Sequence, residues 1–117
     1  MARTMGTIPL YALTPEEIFA IMDNVLVPLG YTRQMYDAEV IWGKYDGVLV
    51  MKQCFSVLVY PNQVLLQAWM KDALIGETEL NGFAGALPKS KMKKYMNIIS
   101  NTIQTNDLQK YNSQRGV

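Results

Sequence analysis

The chain has 117 residues, of which half are hydrophobic and 18% charged, with a net charge of +1 and no histidine. That length suits one domain with one core, and that apolar fraction lets burial offset chain entropy, which excludes global disorder. The missing imidazole removes the usual base near neutral pH and the commonest metal ligand, and the lone Cys54 excludes an intrachain disulfide or a cysteine-rich zinc site.

The opening residues 1–8 look polar and unpatterned, as termini outside a core do. Thr14-Pro15-Glu16-Glu17 then starts a helix: Thr14 suits the cap, Pro15 the first helical position, and Glu17 completes a capping box. Ile18, Ile21, Met22, Val25 and Leu29 recur at three- and four-residue spacing, with Phe19 and Leu26 widening the stripe, so this helix should cover a sheet. Pro28 and Gly30 end it.

From Tyr31 to Asn81 the pattern is that of an antiparallel meander of about five strands. The predicted strands are Tyr31–Tyr36 and Glu39–Gly43 around Asp37-Ala38, Lys52–Tyr60 and Gln63–Lys71 around Pro61-Asn62, and Glu77–Asn81. In the central pair, Cys54, Ser56, Leu58 and Tyr60 alternate with Phe55, Val57 and Val59, and Val64, Leu66, Ala68 and Met70 alternate with Leu65, Gln67, Trp69 and Lys71. Both faces carry apolar groups. One face is expected under helices and the other free for a ligand or a second subunit. The stretch from Lys44 to Met51, around Asp46-Gly47, reads as either a loop or a further strand.

A glycine-spaced segment, Asn81 to Leu87, leads to Pro88 and a long helix predicted to about Gln104, with Met92, Tyr95, Met96, Ile99 and Ile103 on its inner stripe. Asn106-Asp107 breaks the pattern, leaving room for one short helical turn at Leu108–Tyr111. The reading is α+β: a helix, an antiparallel sheet and a second helix, both helices on one face, in a single domain whose ordered core spans about 14–104. Eight methionines suit a core with adaptable packing.

Charge divides sharply along this chain. Residues 1–81 carry five basic and nine acidic side chains, while 82–117 carry six and one. Lys89, Lys91, Lys93 and Lys94 crowd the start of the last helix, where the dipole favours carboxylates, so they are candidates for an anionic contact as well as for a solvated face. Nucleic acid is disfavoured, because the aromatic residues lie in strands away from those lysines and the acidic first two thirds repel phosphate. One lysine cluster gives only weak attraction to an anionic surface.

Enzyme motifs fail on inspection. Ser90-Lys91-Met92-Lys93 spells S-x-x-K, but the companion motifs of serine–lysine enzymes are missing. Gly82-x-x-Gly85 fits neither phosphate-loop nor dinucleotide spacing. Glu77 and Glu79 share a strand face and read as charges guarding an edge, and Cys54 sits mid-strand in an apolar alternation, where a thiol is inert. No catalytic residue, metal site or cofactor is implied. The first residues hold no apolar run of signal length, since Pro9, Thr14, Glu16 and Glu17 interrupt it, and no stretch approaches the roughly 20 apolar residues of a membrane span. A soluble, cytoplasmic protein is expected.

Capped helix, Leu29-Gly30-Tyr31, Trp42-Gly43-Lys44, a hairpin with Ala68-Trp69 in its second arm, and Gly82 to Lys89 running into a terminal helix form an ordered series over residues 14–104. It resembles small uncharacterised α+β domains of Gram-positive gut-type bacteria, some of which are joined to a zinc ribbon or a membrane segment. This chain has neither, and the resemblance carries over no functional residue.

The functional expectation is a non-catalytic binding or protein-interaction module, self-associating as a homodimer through the uncovered sheet face or an edge strand. Trp42, Tyr60 and Trp69 are the candidates for its apolar surface, and Lys89, Lys91, Lys93 and Lys94 for the anionic contact. The rival is a small-molecule-binding or enzymatic domain with a pocket between sheet and helices, built from tyrosine, lysine and carboxylate groups.

Overall fold

A computed structural model describes residues 3–45, 51–72, 76–78 and 86–115. Strand β1 covers Thr4–Pro9 and helix α1 Pro15–Leu26, followed by a 3-10 turn over Val27–Leu29. Strands β2 (Thr32–Tyr36), β3 (Glu39–Tyr45), β4 (Met51–Tyr60), β5 (Gln63–Asp72) and β6 (Gly76–Thr78) follow, and helix α2 spans Ala86–Gln114. The architecture is α+β, with one antiparallel sheet in the order β1-β5-β4-β3-β2. β6 pairs with β5 on the same edge that β1 uses further along: Thr4 to Pro9 lie opposite Ala68 to Gln63, and Gly76 to Thr78 opposite Asp72 to Met70. The junction of β1 and β6 therefore falls beside Trp69.

The local signals act as their chemistry dictates. Thr14 Oγ1 accepts the Glu17 amide at 3.2 Å and Glu17 Oε1 accepts the Thr14 amide at 2.9 Å, a complete capping box. Gly30 takes a left-handed φ of 97°, which lets the chain leave the 3-10 turn and enter β2. Ile18, Met22 and Leu26 of α1, with Met92, Ile99 and Ile103 of α2, bury against Ile8, Trp42, Phe55, Val57, Val64, Leu66, Ala68 and Met70. Those strand residues share one face, so both helices cover the same side of the sheet.

Two segments outside the predicted core carry regular structure. Residues 4–9 form β1, because Ile8 enters the core and the strand completes the ladder of β5. The last helix continues ten residues past Gln104, because Asp107 falls on the buried stripe four residues after Ile103 and its carboxylate has partners there. It accepts the amides of Tyr11 at 2.9 Å, Ala12 at 2.8 Å and Leu13 at 3.0 Å, tying α2 to the entry of α1. Lys110 pairs with Glu17, and Tyr111 packs on Tyr11 at 5.6 Å between ring centroids. The helix also begins two residues before Pro88, which sits in the first turn where a missing amide costs nothing. The segment 46–50, the end of the fifth predicted strand at 79–81 and the glycine-spaced stretch 82–85 lie outside the described residues. Among the described residues, no helix is long and apolar enough to cross a membrane.

Candidate functional site

The face of the sheet turned away from the helices carries Cys54, Lys52 and Ser56 on β4, paired with Trp69, Lys71 and Gln67 on β5. Ile41, Cys54 and Trp69 form a small buried apolar cluster there, separate from the main core. Over it opens a cavity of about 390 Å³ lined by that trio, by Arg3, Glu39, Glu77 and Asp37, and by Lys52, Lys71, Tyr36 and Tyr45. Its volume falls within the range of small-molecule sites, and an apolar floor under polar walls is their usual composition.

Arg3 builds one wall. Lying just before β1 at the junction with β6, its guanidinium stacks 3.6 Å above the centroid of the Trp69 ring. Nε and Nη2 donate to the two oxygens of Glu77, both at 2.9 Å. Nη1 and Nη2 donate to the two oxygens of Glu39 at 2.7 and 3.2 Å, and Nη1 also reaches Gln67 Oε1 at 3.3 Å. A guanidinium has five N–H groups, so this one is fully used. The Arg3 charge and hydrogen bonds hold the Glu77 carboxyl below the usual carboxylate range, and the two acids hold the guanidinium still more firmly protonated. On the far side of the Arg3–Glu39 bridge, a second depression of about 450 Å³ is bounded by Met5, Leu58 and Gln67.

Lys52 builds the opposite wall, and Gly43 makes room for it. A Cβ at Gly43 would lie 2.3 Å from Lys52 Cε, so the lysine stem crosses β3 only because that position is glycine. The ammonium donates to Tyr36 Oη at 2.9 Å and more weakly to Gln34 Oε1 at 3.5 Å, and sits over the rings of Tyr36 and Tyr45 at 4.5 and 5.5 Å. Lys52 is only 9% exposed, and among the described residues no carboxylate lies within ion-pair distance of it. Lys71 is its cross-strand neighbour.

On the floor, burial pushes the Cys54 thiol up to about 11, against the weaker opposing influence of Lys52 and Lys71. Among the described residues, the Trp69 indole N–H and the Ser56 hydroxyl are buried without a hydrogen-bond partner. Among the described residues, no three His, Cys, Asp or Glu side chains converge as a metal site would require.

The sequence-derived candidates scatter. Trp69 is the floor of the cavity. Trp42 lies on the opposite face, fully buried beneath α1, where its indole donates to Asp23 Oδ1 at 2.8 Å and its ring meets Phe19 edge-on. Tyr60 is on the open face but six residues along β4 from Cys54, roughly 20 Å away, and stays exposed. Lys91, Lys93 and Lys94 are exposed on α2, whereas Lys89 is buried at the start of the inner stripe. The structure thus separates the four lysines and keeps them apart from the cavity lining. Between α1 and the sheet, a depression of about 390 Å³ is lined by Pro15, Phe19, Val57, Val59 and the β2–β3 turn, with no lysine, arginine or tyrosine.

No pattern in the sequence singles out Arg3, Lys52, Lys71, Tyr36 and Tyr45 as site residues. The spacing Lys52-x-Cys54 facing Trp69-x-Lys71 contained part of the signal, since residues two apart on paired strands share a face. Arg3 left none, because β1 is too short and mixed to show alternation. No protein-family model matches the chain, and neither does any curated protein or solved structure.

Proposed function

We propose that the chain is a non-catalytic binding module whose ligand site is the cavity on the helix-free face of the sheet. The observation that carries this reading is the buried trio Ile41, Cys54 and Trp69 lying under an open cavity, on the side of the sheet that no described helix covers. Apolar groups in such a place are there to be touched. The walls are tied together, since Arg3, just before β1, is bonded to Glu39 of β3 and Glu77 of β6 across sequence separations of 36 and 74 residues. Chemistry at neutral pH has little support: the only thiol is buried with its ionisation pushed to about 11, and the chain has no imidazole to activate Ser56.

Mapping backbone amide shifts during a screen of small fragments tests the reading. Shifts clustered on Glu39, Ile41, Cys54, Trp69 and Lys71 support it. Shifts confined to the helices, or turnover of a substrate, defeat it.

Self-association has its own observation. Among the described residues β2 is the terminal strand of the sheet, and all five of its residues, Met35 and Tyr36 included, are exposed. A strand so placed offers its free edge to a second copy. Sedimentation of the wild type against Met35→Lys tests this, the charge shifting a dimer towards monomer.

A further inference from the structure

Arg3 is the obvious anion receptor of the cavity, yet all five of its donors are already spent on Glu39, Glu77 and Gln67. The acids are equally occupied, each with both oxygens on the guanidinium. The lysines stand at the other end. Lys52 and Lys71 are cross-strand partners in register; the Lys52 stem runs across β3 to Tyr36, and Lys71 has opposite it on β6 only Glu77, whose two oxygens are committed to Arg3. Lys52 is largely withdrawn from water, and among the described residues its partners are neutral oxygens and two ring faces, with no carboxylate to compensate the ammonium charge. Asp37, the remaining acid of the lining, is exposed at the rim on the β2–β3 turn.

We infer that the cavity selects a small organic anion. Its carboxylate or phosphate is drawn to the Lys52 ammonium, with Lys71 adding positive charge from the neighbouring strand, and its apolar body lies over the cluster of Ile41, Cys54 and Trp69. This rests on the cavity being the ligand site, and goes beyond it by naming the chemical class. The geometry divides the labour: the Arg3–Glu39–Glu77 cluster is a finished wall that repels a second anion from its own end, while the lysine end attracts one. The tyrosine rings beside Lys52 favour a flat or aliphatic body over a fully hydrated one. A cavity of about 390 Å³ is at the small end of ligand sites, which suits a compact molecule and not an extended polymer.

Calorimetric titration of the full chain with benzoate, phenyl phosphate and benzyl alcohol tests the inference. Either anion should bind at least tenfold more tightly than the alcohol, and the better of the two tells carboxylate from phosphate. Binding of the anion should weaken at least tenfold in Lys71→Met, an exposed position where folding is not at stake, and should fall with added salt in the unaltered chain. The triple change Lys91→Gln, Lys93→Gln, Lys94→Gln should leave it unchanged. Equal binding of benzyl alcohol and benzoate, with Lys71→Met indifferent to both, overturns the charge selection while leaving the cavity as a binding site. An absence of heat with all three probes overturns the inference, and the amide-shift map then decides separately whether the cavity binds anything.

Discussion

Asp107 accepts the amide of Leu13 at 3.0 Å across 94 positions of sequence, and the same carboxylate takes the two amides before it. These are amides at the entry of α1, where the chain leaves β1 and has no ladder partner. A charged acceptor for three of them fixes the angle between α1 and α2. Replacing it by alanine leaves buried or half-buried donors unpaired, so Asp107→Ala should lose about 3–4 kcal/mol of unfolding free energy, with Asp107→Asn recovering part of it. Denaturant titration checks both.

Arg3→Ala should cost about 2–4 kcal/mol, because it leaves Glu39 and Glu77 facing each other without a counter-charge, and Arg3→Lys should recover less than half since an ammonium cannot fork to two carboxylates. The pH dependence follows from the depressed ionisation of Glu77. A carboxyl held below its unfolded value stabilises the fold above that value and loses the contribution as pH falls through the depressed one. The stability gap between wild type and Glu77→Gln should therefore be flat from neutrality to about pH 5 and close progressively below about pH 4.

Ala38 occupies a left-handed conformation with φ of 67°, next to Asp37 at 47°, in the two-residue turn between β2 and β3. Such turns need positive φ at both positions, which an alanine adopts only with strain. Ala38→Gly should raise stability by about 0.5–1 kcal/mol, as read from the thermal midpoint, without altering the cavity.

Cys54 supplies a chemical readout of the floor. With its thiol pushed up to about 11 and buried, only about one in a thousand molecules carries the thiolate at pH 8, so alkylation by iodoacetamide should be slow and should accelerate on unfolding. A ligand seated in the cavity should slow it further.

The sequence made the covered half of the molecule readable and the open half much less so. Helix α1 was legible because Thr14, Pro15 and Glu17 each have one good use at a helix start, and the alternation of Cys54 to Tyr60 against Val64 to Lys71 gave both strands and their faces. The site depends on contacts that no local pattern encodes. Trp42 and Trp69 look alike in sequence, yet their positions on β3 and β5 place them on opposite faces, one bonded to Asp23 under α1 and the other beneath Arg3. Asp107 read as a helix break because a carboxylate on an apolar stripe normally is one; its three amide donors come from residues 94 to 96 positions away. Gly43 gave no hint that Lys52 would lie across it, which is a matter of register between β3 and β4.

The two indoles provide the most direct test, because they differ in face and in partner within one molecule. Each gives its own side-chain N–H signal in a proton–nitrogen spectrum, and the Trp42 group is held by Asp23 while the Trp69 group meets no acceptor among the described residues. On addition of benzoate or phenyl phosphate, the Trp69 signal should shift progressively to saturation while the Trp42 signal stays in place. A shift of Trp42 alone, or two signals unmoved by either anion at millimolar concentration, would contradict the assignment of the helix-free face as the binding surface for a small anion.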